Sequence, residues 1–179
     1  MATETALELA RLGHFTDPEH APYKVAHQMR IARLRRYGGD DHQPTVTAPL
    51  LLIPPLMVTA EIYDVAPDIS GVTALTQLGL DVWVIDFGSP EQEEGGMKRT
   101  LDDHIKAVSE AIDWVQEATG CDVHLVGYSQ GGMFAYQAAA YRSSQGIASL
   151  VTFGSPVDIH RNLPMIQDSI AGRMFELAQ

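Results

Sequence analysis

Val123-His124-Leu125-Val126-Gly127-Tyr128-Ser129-Gln130-Gly131-Gly132 governs the reading of this chain. A short apolar run, Val123–Val126, stops at Gly127. A small-residue segment of helical character then runs to about Tyr141. Between them Gly127, Ser129 and Gly131 stand in a Gly-x-Ser-x-Gly frame. A strand that turns this abruptly into a helix holds the serine in a strained backbone conformation and lifts its hydroxyl clear of the sheet. Glycine is expected at 127 and 131 because a side chain at either position would collide across the turn. The helix that follows aims its free N–H groups and its dipole at the serine, which favours negative charge there. A serine so placed is suited to attack an acyl carbonyl.

On either side, apolar runs alternate with helical patterns. Leu50–Ile53, Val82–Ile85 and Ile147–Phe153 read as strands. A helix is predicted over Ser70–Leu78, ending at Gly79. A longer one is predicted over Thr100–Thr119, where Leu101, Ile105, Val108, Ile112 and Val115 recur at helical spacing. Thr100 with Asp103 forms an N-terminal cap pattern, and Gly120 a stop. Continuous apolar strands alternating with helices predict an α/β fold, a mostly parallel sheet flanked by helices with reactive groups at the carboxyl ends of its strands. Four strands are recognisable, and the sheet is expected to be truncated after the fourth. Residues 1–44 are expected to form a helical N-terminal segment, 3–12 and 23–36 being its helices, with Arg30, Arg33, Arg35 and Arg36 on a solvated face. The alternative for these arginines is a contact for an anionic acyl carrier. Residues 45–179 form the sheet domain.

The chain has 179 residues, 45 % hydrophobic and 20 % charged, enough for one domain with a core. Twelve Lys and Arg against 23 Asp and Glu give −11, which argues against nucleic acid or an anionic membrane surface as partner. One cysteine, Cys121, leaves no internal disulfide framework and no Cys-rich zinc site. Neither a secretory signal nor an apolar run long enough to span a bilayer is present, so a cytoplasmic location is the expectation. Glu91, Glu93 and Glu94 lie in a loop read as a pocket rim, and neither a metal nor a cofactor is expected.

For acyl transfer the developing oxyanion needs two N–H donors. Gln130 supplies one from the residue after the serine. Leu56 or Met57, after Pro54-Pro55, supplies the other. Met57, Val58, Phe87, Met97 and Met133 are candidates for an apolar acyl pocket. The serine also needs a histidine base and an acid. His160 is the only histidine after Ser129, and Asp158 stands just past the fourth strand. They are the candidates within the chain, while the base and acid are expected beyond Gln179. His104 and His124 are read as packing or surface residues.

The elbow, together with Leu51-Leu52-Ile53-Pro54-Pro55-Leu56, Tyr63-Asp64-Val65 and Asp81-Val82-Trp83-Val84-Ile85-Asp86, resembles the α/β-hydrolase superfamily from about residue 45 to 160. More narrowly it is similar to the polyhydroxyalkanoate synthase and lipase-like acyltransferase branch. That resemblance implies a hydrolase or acyltransferase acting on lipid-like esters or thioesters, or an acyl-CoA-like substrate, through an acyl-enzyme on Ser129. It also implies an acyl-CoA ligase module joined to or partnered with the chain. A polymerase, and a catalytically silent module that binds lipid or a partner, are the alternatives. The synthases use a cysteine where this chain has Ser129, and a serine favours hydrolysis or a single transfer.

Overall fold

A computed structural model describes residues 20–39, 43–46, 48–56 and 58–158. The predicted helix 3–12, Met57 and His160 lie outside them. Six strands form one mixed sheet: β1 (Tyr23–Gln28), β2 (Arg33–Tyr37), β3 (Leu50–Ile53), β4 (Val82–Asp86), β5 (Val123–Tyr128) and β6 (Ile147–Phe153), in the order β1-β2-β4-β3-β5-β6. β4, β3, β5 and β6 are mutually parallel, as their apolar runs and intervening helices predict. All five residues of β4 are buried.

The expected helix over 23–36 is corrected: this stretch is a strand pair, β1 antiparallel to β2 and β2 antiparallel to β4. The chain turns at Met29–Ala32, where the Met29 N–H donates to the Ala32 carbonyl at 2.8 Å. Leu34 lies beside Ile85 in register and is fully buried, while Tyr37 faces the opposite layer. Docking against β4 selects the two-residue period here over the helical one. The arginines are therefore not on a helix face. Arg30 pairs with Asp103, Arg33 and Arg35 with Asp86, and Arg36 with Asp81. The two strands extend the same sheet that carries the rest of the fold.

Helices α1 (Gly71–Gln77), α2 (Leu101–Thr119) and α3 (Gln130–Tyr141) cover the sheet. On one face Leu51, Ile53, Ile85 and Leu125 pack with Val108, Ile112, Val115 and Phe134. On the other, Leu52, Val82 and Val84 pack with Val72 of α1 and Ala60. Each such fully buried aliphatic side chain contributes about 1.5–3 kcal/mol. α2 begins as the sequence predicts. Thr100 Oγ1 accepts the Asp103 N–H at 3.2 Å, and the Asp103 carboxylate in turn accepts the Thr100 N–H at 2.8 Å. Gly120 closes the helix in the left-handed region.

His104, on the buried side of α2, stacks on Phe134 with ring centroids 5.2 Å apart and meets the edge of Phe87. Its Nδ1 lies 2.7 Å from the Thr100 carbonyl, which places the ring proton there. The packing role expected for His104 is thus what the structure shows. Burial, with the nearby positive Arg99, pushes its pKa below the usual histidine value, against the pull of the Thr100 carbonyl. A folded-state value below the unfolded one gives stability that is complete above pH ~6.5 and is lost as pH falls through the folded value. The melting temperature is expected to drop between pH 7.5 and 5.5, and to drop less in His104→Gln. Equal drops in the two proteins would exclude this histidine as the cause.

Candidate active site

The sheet changes direction of growth at β3: β4 lies on one side of it and β5 on the other. In an open α/β sheet this switch leaves a crevice at the carboxyl ends of the strands, where ligands bind. Ile53, the last residue of β3, is in register with Gly127 of β5. The Pro54-Pro55 loop and the Ser129 turn therefore leave the sheet side by side.

Ser129 has φ 52° and ψ −119°, a conformation that costs a non-glycine residue about 1–3 kcal/mol and persists only where its surroundings hold it. They do so here. The Ser129 N–H donates to the Phe153 carbonyl at 2.7 Å, and the Ser129 carbonyl accepts the Gly132 N–H at 3.1 Å as the first turn of α3. The strained elbow read from Gly-x-Ser-x-Gly is present, between a strand and a helix.

Both glycines are needed at that turn. A Cβ on Gly127 would stand 2.4 Å from the Gly132 Cα, and one on Gly131 would stand 1.9 Å from the Ile53 carbonyl oxygen. The second contact presses the start of α3 onto the end of β3. Gly131→Ala is expected to destabilise the fold by about 3 kcal/mol, because its clash is with backbone that cannot rotate away. The same change should move the β3 loop off the helix. A urea melt measures the first effect, and an unchanged midpoint would contradict the close packing.

That approach brings Leu56 to Gln130. The Leu56 N–H donates to the Gln130 Oε1 at 3.1 Å. Tyr63 secures the same loop from below, its hydroxyl donating to the Ile53 carbonyl at 2.9 Å. Burial pushes the Tyr63 pKa well up, so the phenol keeps its proton. Asp64 next to it is buried, accepting from the Ser70 hydroxyl at 2.6 Å and the Ala21 N–H at 2.8 Å. Tyr63 and Asp64 carried the sequence resemblance. The task of Tyr63 as an anchor at the end of β3, and of Asp64 in tying Ala21 to Ser70, needed the fold to become visible.

Of the predicted site residues, then, Ser129, Gln130 and Leu56 come together, while Met57 and His160 lie outside the described residues. Asp158 is exposed past the turn that follows β6. The described histidines are all engaged away from the elbow. His20 is near Asp64, His27 stacks on Trp114, His104 is in the core, and His124 Nδ1 is 2.7 Å from the Ser149 hydroxyl.

Asp86 could be mistaken for a catalytic acid at a strand end. Its Oδ2 instead accepts from Arg35 Nε and Nη2 at 3.0 and 2.5 Å and lies 3.0 Å from Arg33 Nη2. Its Oδ1 accepts the Gly88 N–H at 2.9 Å. Every oxygen is occupied, so Asp86 is a buried anchor.

The expected acyl pocket needs correction at two positions. Phe87 is buried against His104 and Phe134, and Met97 is 75 % exposed. Glu93 and Arg99 from the predicted rim loop line a cavity, with Arg33, Asp86 and Phe87. It measures about 70 Å³ and is polar, room for a few waters and not for an acyl chain. Among the described residues no three His, Cys, Asp or Glu side chains group to hold a metal ion, and no helix is long and apolar enough to cross a membrane.

Residues 62–175 match the family of the alpha/beta hydrolase fold, more than half of the chain. The chain belongs to that family. It is 31 % identical over 157 residues to the poly(3-hydroxyalkanoate) polymerase subunit PhaC of Allochromatium vinosum, covering 87 % of this chain and 42 % of that protein. The chain spans less than half the length of the curated relatives it matches. Solved structures repeat the alpha/beta hydrolase architecture at low identity. The mature Bacillus licheniformis lipase BlEst2 superposes with a TM-score of 0.55 at 16 % identity, over 69 % of this chain and 46 % of that one. The thioesterase domain from the curacin biosynthetic pathway superposes with a TM-score of 0.55 at 19 % identity, over 89 % and 50 %. These confirm the resemblance read from the elbow and the Pro-Pro loop.

Proposed function

We propose that this protein is a serine-dependent hydrolase or acyltransferase acting on lipid-like esters or thioesters, with Ser129 as nucleophile. The observation that carries this reading is the backbone of Ser129, held at φ 52° between β5 and α3. Strained backbone of this kind clusters at active sites. In the reading, Ser129 Oγ attacks the acyl carbonyl, its proton passes to a base, and the alcohol or thiol departs. Water or an acceptor alcohol then releases the acyl group. The Gln130 and Leu56 amides stabilise the oxyanion, each donor supplying about 3–4 kcal/mol at the transition state.

The likeness to polymerase subunits favours a second reading, transfer of a hydroxyacyl group onto another hydroxyl to build a polyester. Serine in place of the cysteine argues for hydrolysis, because a thiolate is the better nucleophile and leaving group for repeated transfer. A 3-hydroxyacyl thioester as substrate separates the two: free hydroxy acid supports the hydrolase, and insoluble polymer the polymerase. A fluorophosphonate probe tests what both share. Labelling of Ser129 is expected, and a protein left unlabelled would favour a silent binding module.

A further inference from the structure

The side chain of Gln130 does something that its backbone role does not require. Its Oε1 accepts the Leu56 N–H at 3.1 Å, across 74 residues of sequence. Leu56 has a single amide hydrogen, so the carboxamide and an incoming acyl oxygen compete for it. The two residues that meet here are the ones whose amides the proposed reaction assigns to the oxyanion. The contact is set by stiff parts on both sides. Pro54-Pro55 restrict the loop, Tyr63 ties its root at Ile53, and Gly131 lets α3 press against it. Gln130 and Leu56 are both half-buried. A carboxamide that swings away therefore reaches water and is not stranded in the core.

We infer that the Gln130 carboxamide is an internal stand-in for the acyl oxygen of the substrate. It occupies the Leu56 N–H in the free protein and surrenders it when the acyl group binds. This rests on the reading of Ser129 as nucleophile. Two consequences follow from the exchange. The donor stays aimed at the site without being left unpaired. Substrate binding swaps one hydrogen bond for another and so gains little at the ground state, which leaves the gain for the more negative oxygen of the transition state. Gln130 acts here through Leu56 and is a positioning residue in its side chain.

The test has one arm that needs no turnover. In the Ser129→Ala protein the Leu56 amide signal is followed by two-dimensional ¹H–¹⁵N NMR while p-nitrophenyl hexanoate is added. The Leu56 amide and the Gln130 side-chain NH₂ signals are expected to move together, and the Leu56 amide alone should already be displaced in Gln130→Met. Ester binding seen elsewhere in the spectrum, with these two signals unmoved, would overturn the inference. The other arm is kinetic. Gln130→Met removes the competitor and is expected to lower KM by about two- to tenfold, with a smaller change in kcat. Gln130→Glu presents a charged acceptor, so kcat/KM is expected to fall at neutral pH and recover as the pH falls and the carboxyl is protonated. A raised KM in Gln130→Met would overturn the stand-in role. An unreactive Ser129 in a protein whose Leu56 signal follows the ester would instead count against the nucleophile alone.

Discussion

Ser129→Ala is expected to lower turnover of a short-chain p-nitrophenyl ester by about 10⁴–10⁶-fold and to abolish fluorophosphonate labelling. The size follows from what is removed. The nucleophile proposed above is lost, and the Gln130 and Leu56 amides can then only bind the acyl group, which leaves the residual rate of a site without a nucleophile. The fold should survive, because the bonds that hold the turn are made by backbone: the Ser129 N–H to Phe153 at 2.7 Å and the Gly132 N–H to the Ser129 carbonyl at 3.1 Å. Circular dichroism of the variant checks this. Ser129→Gly offers a companion measurement. It relieves the positive φ, and the variant should be inactive yet more stable to urea by about 1 kcal/mol. An alanine variant that keeps its activity or still takes the label would remove Ser129 from the mechanism.

Arg35→Ala should destabilise the protein by about 3 kcal/mol, the largest effect expected of a side chain outside the site. Asp86 is 1 % exposed and receives two of its hydrogen bonds from Arg35. Arg35 is itself buried, and its pKa is raised far above the usual value: desolvation works against the charge, and the Asp86 carboxylate more than restores it. Without the guanidinium, Arg33 and the Gly88 N–H remain, and Arg33 is 39 % exposed, so its share is weakened by water. The cost is that of a buried carboxylate left short of partners. It also loses the guanidinium stacked over Tyr23 at 4.6 Å. Arg35→Met combined with Asp86→Leu should be less destabilised than the sum of the two single changes, since neither charge is then stranded. Urea midpoints of the four proteins measure the coupling. A single-variant loss below about 1 kcal/mol would show the pair to be dispensable.

These two residues differ in how far a linear sequence can reveal them. Ser129 stands in a local frame. The strand before it, the helix after it and Gly127, whose Cβ would meet Gly131 and Gly132, are neighbours in the chain, so that steric demand is local; the demand at Gly131 comes instead from Ile53 of β3. The parallel core was legible for a similar reason. Buried strands must be apolar throughout, and α2 announces itself by its apolar period, by Thr100 with Asp103 at one end and by Gly120 at the other. Arg35 gave the opposite impression. Four arginines within a few residues suggest a solvated surface, and only the distant carboxylates of Asp81, Asp86 and Asp103 turn them into buried or bridging pairs. Residues 23–37 fit a helical period as well as a strand pair, and propensity is too weak to choose between them.

The sequence alone thus determined the elbow, the parallel strands and the helices that cover them as elements, because each leaves a local pattern in the chain: a glycine frame, a continuous apolar run, or a helical period with its caps. The tertiary structure decided what those elements meet. It turned residues 23–37 into two sheet strands, because β4 offered a ladder and a buried carboxylate. It withdrew Phe87 into the core, because His104 and Phe134 enclose it. It set Leu56 against the Gln130 carboxamide, because Gly131 lets a helix start lie on the end of a strand far away in sequence. Long-range partners of this kind leave no periodicity or cap to read, since their geometry exists only once the chain has closed.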